Sequence, residues 1–140
     1  MVTAMADRAW VVVVPHHARG ARLARHRLTR ELSGAVGPDL LADVIAVVGE
    51  LVGNAIRHAR PLPGDVVRLA WRVRGDGARY VVDIRVTDGG GDPEMPRERA
   101  AGPDSVDGRG LAIVAALADR WGVERDGLGQ SVWAELSSTG

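Results

Sequence analysis

The hydrophobic period of this chain changes part-way along, and that change limits the folds open to it more than any single motif does. From His16 to Ala59 apolar residues recur every three or four positions, the spacing of amphipathic helices. From Val67 to Thr87 they recur every second position, the spacing of half-buried strands. A chain that carries both patterns in one compact unit must lay helices on a sheet. At 140 residues and with 46% hydrophobic residues there is length and apolar content for one such unit, spanning residues 1–140, and not for two.

The elements follow from the pattern. Trp10 to Val14, closed by Pro15, reads as a short buried strand. From His16 to about Ala35, Ala21, Ala24, Leu28, Leu32 and Ala35 share a helical face opposite Arg19, Arg22, Arg27 and Arg30. Gly37-Pro38 ends that helix, and a second runs from about Leu40 to Ala59, stopped by Pro61. Its apolar arc reads as Leu41, Val44, Ile45, Val48, Val52, Ala55, Ile56 and Ala59. Val67, Leu69, Trp71 and Val73 then alternate with polar neighbours, Gly75-Asp76-Gly77 signals a hairpin, and Val82, Ile84 and Val86 alternate in turn. Residues 89–107 are rich in Gly, Pro and Asp and have no period, which marks a functional loop. Gly108 to Trp121 reads as a helix, and Val123 onward as two strands around Gly127-Leu128-Gly129. The expectation is an α/β two-layer sandwich, a mixed and largely antiparallel sheet with helices on one face.

Composition excludes several chemistries. All 18 basic residues are Arg, so a P-loop lysine and a Schiff-base lysine are impossible. Cysteine is absent, which removes disulfides, thiolate metal sites and cysteine nucleophiles. Basic and acidic residues cancel to a net charge of zero, which argues against direct nucleic-acid binding. No run approaches the roughly 20 apolar residues of a membrane span, and no signal-peptide pattern opens the chain, so a cytoplasmic location is expected.

Three constellations could carry chemistry. Glu50 and Asn54 lie i, i+4 on one side of the second helix, off its apolar arc. A carboxylate beside an amide oxygen suits activation of a hydroxyl and retention of a hard cation such as Mg2+. Asp88 shares parity with Val82, Ile84 and Val86, so its carboxylate should face the helices. A buried acceptor there wants a donor such as the exocyclic amine of adenine, and Gly89, Gly90 and Gly91 would let backbone approach a ring closely. Gly108-Arg109-Gly110-Leu111 opens a helix and could offer amides and a cation to phosphate. Each also has an ordinary structural explanation, as a wet helix face, a turn and a helix start; a Rossmann turn is not supported by the glycine spacing.

Taken in chain order, these segments resemble the GHKL (Bergerat-fold, histidine kinase-like) ATPase domain. Glu50 to Ala59 resembles its N box, Val86 to Pro93 its first glycine box, Gly108 to Val114 its second, and Gly129 to Leu136 its closing strand. Leu117 to Gly122 and the compact size resemble short actinobacterial regulators related to anti-sigma factor serine/threonine kinases. The resemblance implies ATP and Mg2+ as cofactors. It makes Glu50 the general base, Asn54 the metal ligand, Asp88 the adenine reader and Ser131 a second hydroxyl contact near the base. Gly90 would line the pocket, and Gly108, Arg109, Gly110 and Leu111 would form the phosphate-binding helix start. Residues 92–107 would be the ATP lid. Gly53 stands where relatives commonly have Thr.

The function so implied is a serine/threonine protein kinase that binds a sigma factor and phosphorylates an anti-anti-sigma (STAS-like) protein, possible also as a homodimer through the N-terminal strand. A non-catalytic, nucleotide-gated binding module is the alternative, and a sensor-kinase catalytic domain acting on His a third. Five Arg between Arg19 and Arg30 suit an acidic partner or a solvated face equally. His16, His17 and His26 read as surface residues, and Trp10, Trp71, Trp121 and Trp133 as core; His58, inside the N-box match and also suited to the helix C-terminus, stays unassigned.

Overall fold

The computed structural model describes residues 8–75, 79–91, 111–127 and 129–138. The centre of the Gly75-Asp76-Gly77 turn, the expected lid at 92–107, Gly108, Arg109, Gly110 and Leu128 lie outside those residues. In chain order the elements are β1 (Arg8–Pro15), α1 (Ala18–Leu32), α2 (Pro38–His58), β2 (Val66–Gly75), β3 (Tyr80–Asp88), α3 (Leu111–Leu117), β4 (Arg120–Arg125) and β5 (Gln130–Ser137). The strands form one five-stranded sheet in the order β1-β2-β3-β5-β4. Each of its pairings is antiparallel, so the mixed character expected from the sequence is absent among the described strands. The helices cover one face, giving the two-layer α/β sandwich.

Register explains which residues point inward. Trp10, Val12 and Val14 of β1 pair with Trp71, Leu69 and Val67 of β2, and Val82, Ile84 and Val86 of β3 continue the same rows. On β5, Leu136, Ala134 and Val132 extend them. Against this wall pack Ala24, Leu28 and Leu32 of α1, spaced i, i+4 and i+8 and fully buried, and a broad band of α2. Each buried Leu or Val contributes about 1.5–3 kcal/mol of transfer free energy, so these rows dominate the stability. Trp10 stacks on Trp71 across the first pairing, with ring centroids 5.6 Å apart.

Several boundaries differ from the sequence reading. The N-terminal strand is an edge strand, not a buried one: Val11 and Val13 are 63% and 58% exposed, because nothing among the described residues covers that face. α1 starts at Ala18, with His17 accepting from Arg19 N as its N-cap, and stops at Leu32, before a turn in which Gly34 takes φ 84°. α2 starts at Pro38, where a proline at the helix start loses no hydrogen bond. Its buried set adds Leu40, Val47 and Leu51, while Leu41, Ile45 and Ile56 are only partly buried, because α2 touches α1, the sheet and α3 and so buries well over one stripe. α3 ends at Leu117, and the chain turns into β4 at Arg120, anchored by Asp119 N–H donating to Glu135 O at 2.7 Å. Trp121 therefore sits on a strand, opposite Ala134, not on the helix.

The other face of the sheet is mixed, with Val11, Val13 and Trp133 beside a set of ion pairs. Arg74 pairs with Asp83 at 2.9 Å and with Glu135 at 3.3 Å, Arg120 with Glu135 at 3.2 Å, and Arg85 with Glu124 at 2.8 Å. Trp133 belongs to this outer face, with the Arg120 guanidinium 5.9 Å from its ring centroid, so it is not part of the core.

Candidate functional site

Asp88 ends β3 on the helix-covered face, as its parity with Val86 requires, and is only 3% exposed. Its Oδ1 accepts from Gly90 N–H at 2.7 Å, an Asx turn that holds Gly90 at φ 91°. Burial pushes its carboxyl up from the usual 3.8 to about 6; the Gly90 amide and the charges of His16 and Arg125 act in the opposite direction but do not cancel the desolvation. A carboxylate held in the wall of the sandwich at that cost is a strong acceptor in a dry place.

The end of β3 is tied to the end of α2. Gly89 N–H donates to Arg60 O at 2.7 Å, Arg60 N–H donates back to Gly90 O at 2.8 Å, and the Arg60 guanidinium reaches Gly91 O at 3.1 Å. A Cβ on residue 89 would lie 2.2 Å from Pro61 O, so glycine is needed for the two segments to touch. Glu50 and Asn54 lie one turn apart on α2 and are half-buried, upstream of this junction. The structure thus brings the helix bearing Glu50 and Asn54 and the strand end bearing Asp88 and Gly90 to one end of the sandwich. Leu111 is 7% exposed and anchors the first turn of α3 in the core, next to α2.

Ser131 falls elsewhere. It pairs with Thr87, not Asp88, and so projects from the opposite face of the sheet, where the two buried hydroxyls lie 2.8 Å apart. The cross-strand partner of Asp88 is Gln130, half-buried, on the same face and flanked by Arg125 of β4. Gln130 brings both an amide donor and an acceptor to the carboxylate's side, and the sequence reading overlooked it. That reading also overlooked Arg57, which folds back so that its Nη2 lies 3.4 Å from Asn54 Oδ1. The guanidinium rests over Gly53, where a Cβ would sit 2.9 Å from Nη1. A larger residue at position 53 would require the flexible end of the Arg57 side chain to shift.

The family model for the histidine kinase-like ATPase domain matches residues 14–136. This chain belongs to that family. A comparison with curated proteins returns no match. The match runs from the end of β1 into β5 and so includes both α2 and the end of β3.

The donor set fits the ligands of such a domain. A buried carboxylate beside an amide side chain can read a purine edge by accepting from an exocyclic amine. The Glu50 carboxylate and the Asn54 amide oxygen are hard donors on one helix side, too few to cage a cation alone but suited to Mg2+, which keeps several waters and binds phosphate oxygens. Among the described residues no helix is long and apolar enough to cross a membrane.

Proposed function

We propose that this ATPase domain is a regulatory serine/threonine protein kinase of the anti-sigma type, which binds a sigma factor and transfers the γ-phosphoryl group of ATP to an anti-anti-sigma, STAS-like protein. The observation that carries the nucleotide part is the buried Asp88 at the tied end of α2 and β3, beside Gln130 and with Glu50 and Asn54 on the adjoining helix. Asp88 would accept from the adenine amine, with Gly90 giving the ring room. Gly108, Arg109 and Gly110, ahead of Leu111, would face the phosphates, as the family resemblance implies.

In this reading Glu50 takes the proton from the acceptor hydroxyl as its oxygen bonds to the γ-phosphorus. The bond from that phosphorus to the bridging oxygen breaks, and ADP leaves. Asn54 and the phosphates would hold Mg2+, which neutralises charge developing on the transferred group when it is bound. For Asn54 to serve, Arg57 must leave its Oδ1, which the exposed position and the 3.4 Å length of that contact make easy.

Glu50→Gln tests the proposal. The variant should bind ATP within about threefold of wild type yet lose about 100-fold or more in phosphoryl transfer to a STAS-like acceptor, since a general base contributes roughly 10²–10⁴-fold. A variant that binds and controls its partner like wild type, without transfer in either protein, would instead make the domain a nucleotide-gated binding module. Acid-labile phosphate on the acceptor would point to histidine as the target.

A further inference from the structure

His16 was expected at the surface, but it is half-buried where three elements meet. Its backbone N–H donates to Asp65 O at 2.9 Å, in the turn leading into β2. Its Nε2 lies 3.0 Å from Ala55 O and 2.9 Å from Ala59 O, at the end of α2. Carbonyl oxygens only accept, so Nε2 carries a proton and donates to both. A helix C-terminus bears about half a negative charge, and Asp88 on β3 adds a whole one. Among the described residues, the positive groups whose charge reaches Asp88 are His16, between β1 and α1, and Arg125 on β4, while the nearby Arg60 guanidinium is engaged with Gly91 O.

We infer that His16 is a positioning residue of the nucleotide site: its Nε2–H straps the last turn of α2 to the β1–α1 junction and so sets where the helix carrying Glu50 and Asn54 ends relative to Asp88. The inference rests on the nucleotide reading of Asp88. The strapped turn is directly followed by Arg60, the residue that bonds to Gly89 and Gly90, so slack in the strap is passed to the Asp88 turn. Displacements of about 1 Å between site groups can cost on the order of 100-fold in function.

His16→Gln keeps an N–H donor near the Nε2 position, and His16→Leu removes it. With the full chain at pH 8 and ADP with Mg2+ as the probe, calorimetry should find the Gln variant within about threefold of wild type and the Leu variant weaker by about tenfold or more. The Asp88 carboxyl, followed by carbon NMR without nucleotide, should titrate at a higher pH in both variants, because each lacks the imidazolium that favours the ionised form. A Leu variant that binds like wild type, a Gln variant that loses as much as Leu, or an unmoved Asp88 midpoint overturns the inference. If the Leu variant does not fold, the Gln variant decides through its affinity and its Asp88 midpoint. Wild type that binds no ADP would defeat the nucleotide reading itself, a result distinct from any difference between the variants.

Discussion

Val82 and Asp88 lie on the same face of the same strand and are buried almost equally, at 0% and 3% exposure, yet they do opposite things for the protein. Val82 sits mid-sheet between rows of apolar side chains and adds transfer free energy. Asp88, three inward positions further along the same face, is buried at a cost that its Gly90 hydrogen bond only partly offsets. The same geometry builds a core at one end of β3 and a buried, costly carboxylate at the other. The difference is what the surroundings offer a polar side chain: backbone amides, a helix end and distant cations at position 88, and hydrocarbon at position 82.

The largest effect should come from erasing that distinction. Val82→Asp places a carboxylate where no described group can partner it, and should lower stability by more than about 4 kcal/mol, enough to leave the chain unfolded in a urea titration. Asp88→Asn should do the reverse. The carboxyl of Asp88 is raised in the fold, so the folded chain holds a proton that the unfolded chain releases. Stability tied to this group is therefore full below pH 3.8 and is lost as pH rises through about 6. At about 1.4 kcal/mol per pH unit, the Asn variant should be more stable than wild type by up to about 3 kcal/mol at pH 8 and equal to it near pH 3.5, measured by denaturant unfolding at the two pH values. The smallest effect should be at Trp71, whose buried Nε1 has no hydrogen-bond partner among the described residues. Trp71→Phe exchanges some packing for relief of that group, and should change unfolding free energy by less than about 1 kcal/mol.

Much of this was readable from residue order, and the reason is local. The period of two placed Asp88 on the inner face, and the i, i+4 spacing placed Glu50 and Asn54 on one side of α2, because both depend only on a residue's own element. The details that failed depend on how distant segments meet. Choosing between Ser131 and Gln130 as the companion of Asp88 required the β3–β5 register, and a shift of one residue exchanges the faces. His16 looked like a surface residue because its partners, Ala55 and Ala59, lie 39 and 43 residues away in the chain. The exposed face of β1 could not be read from a run of valines, since a strand at the edge and a strand in the middle can be spelled alike. Gly53 was visible as a departure from the family pattern, but the Arg57 side chain that lies over it was not.

The central claim is that a destabilising carboxylate at the end of β3 is kept for a nucleotide. Calorimetric titration of Mg-ATP into wild type and Asp88→Asn tests it directly. The account predicts one-to-one binding by wild type and affinity at least about tenfold weaker in the variant, although the variant is the more stable protein. Equal affinity in the two proteins, or no binding by wild type at millimolar Mg-ATP, would contradict it.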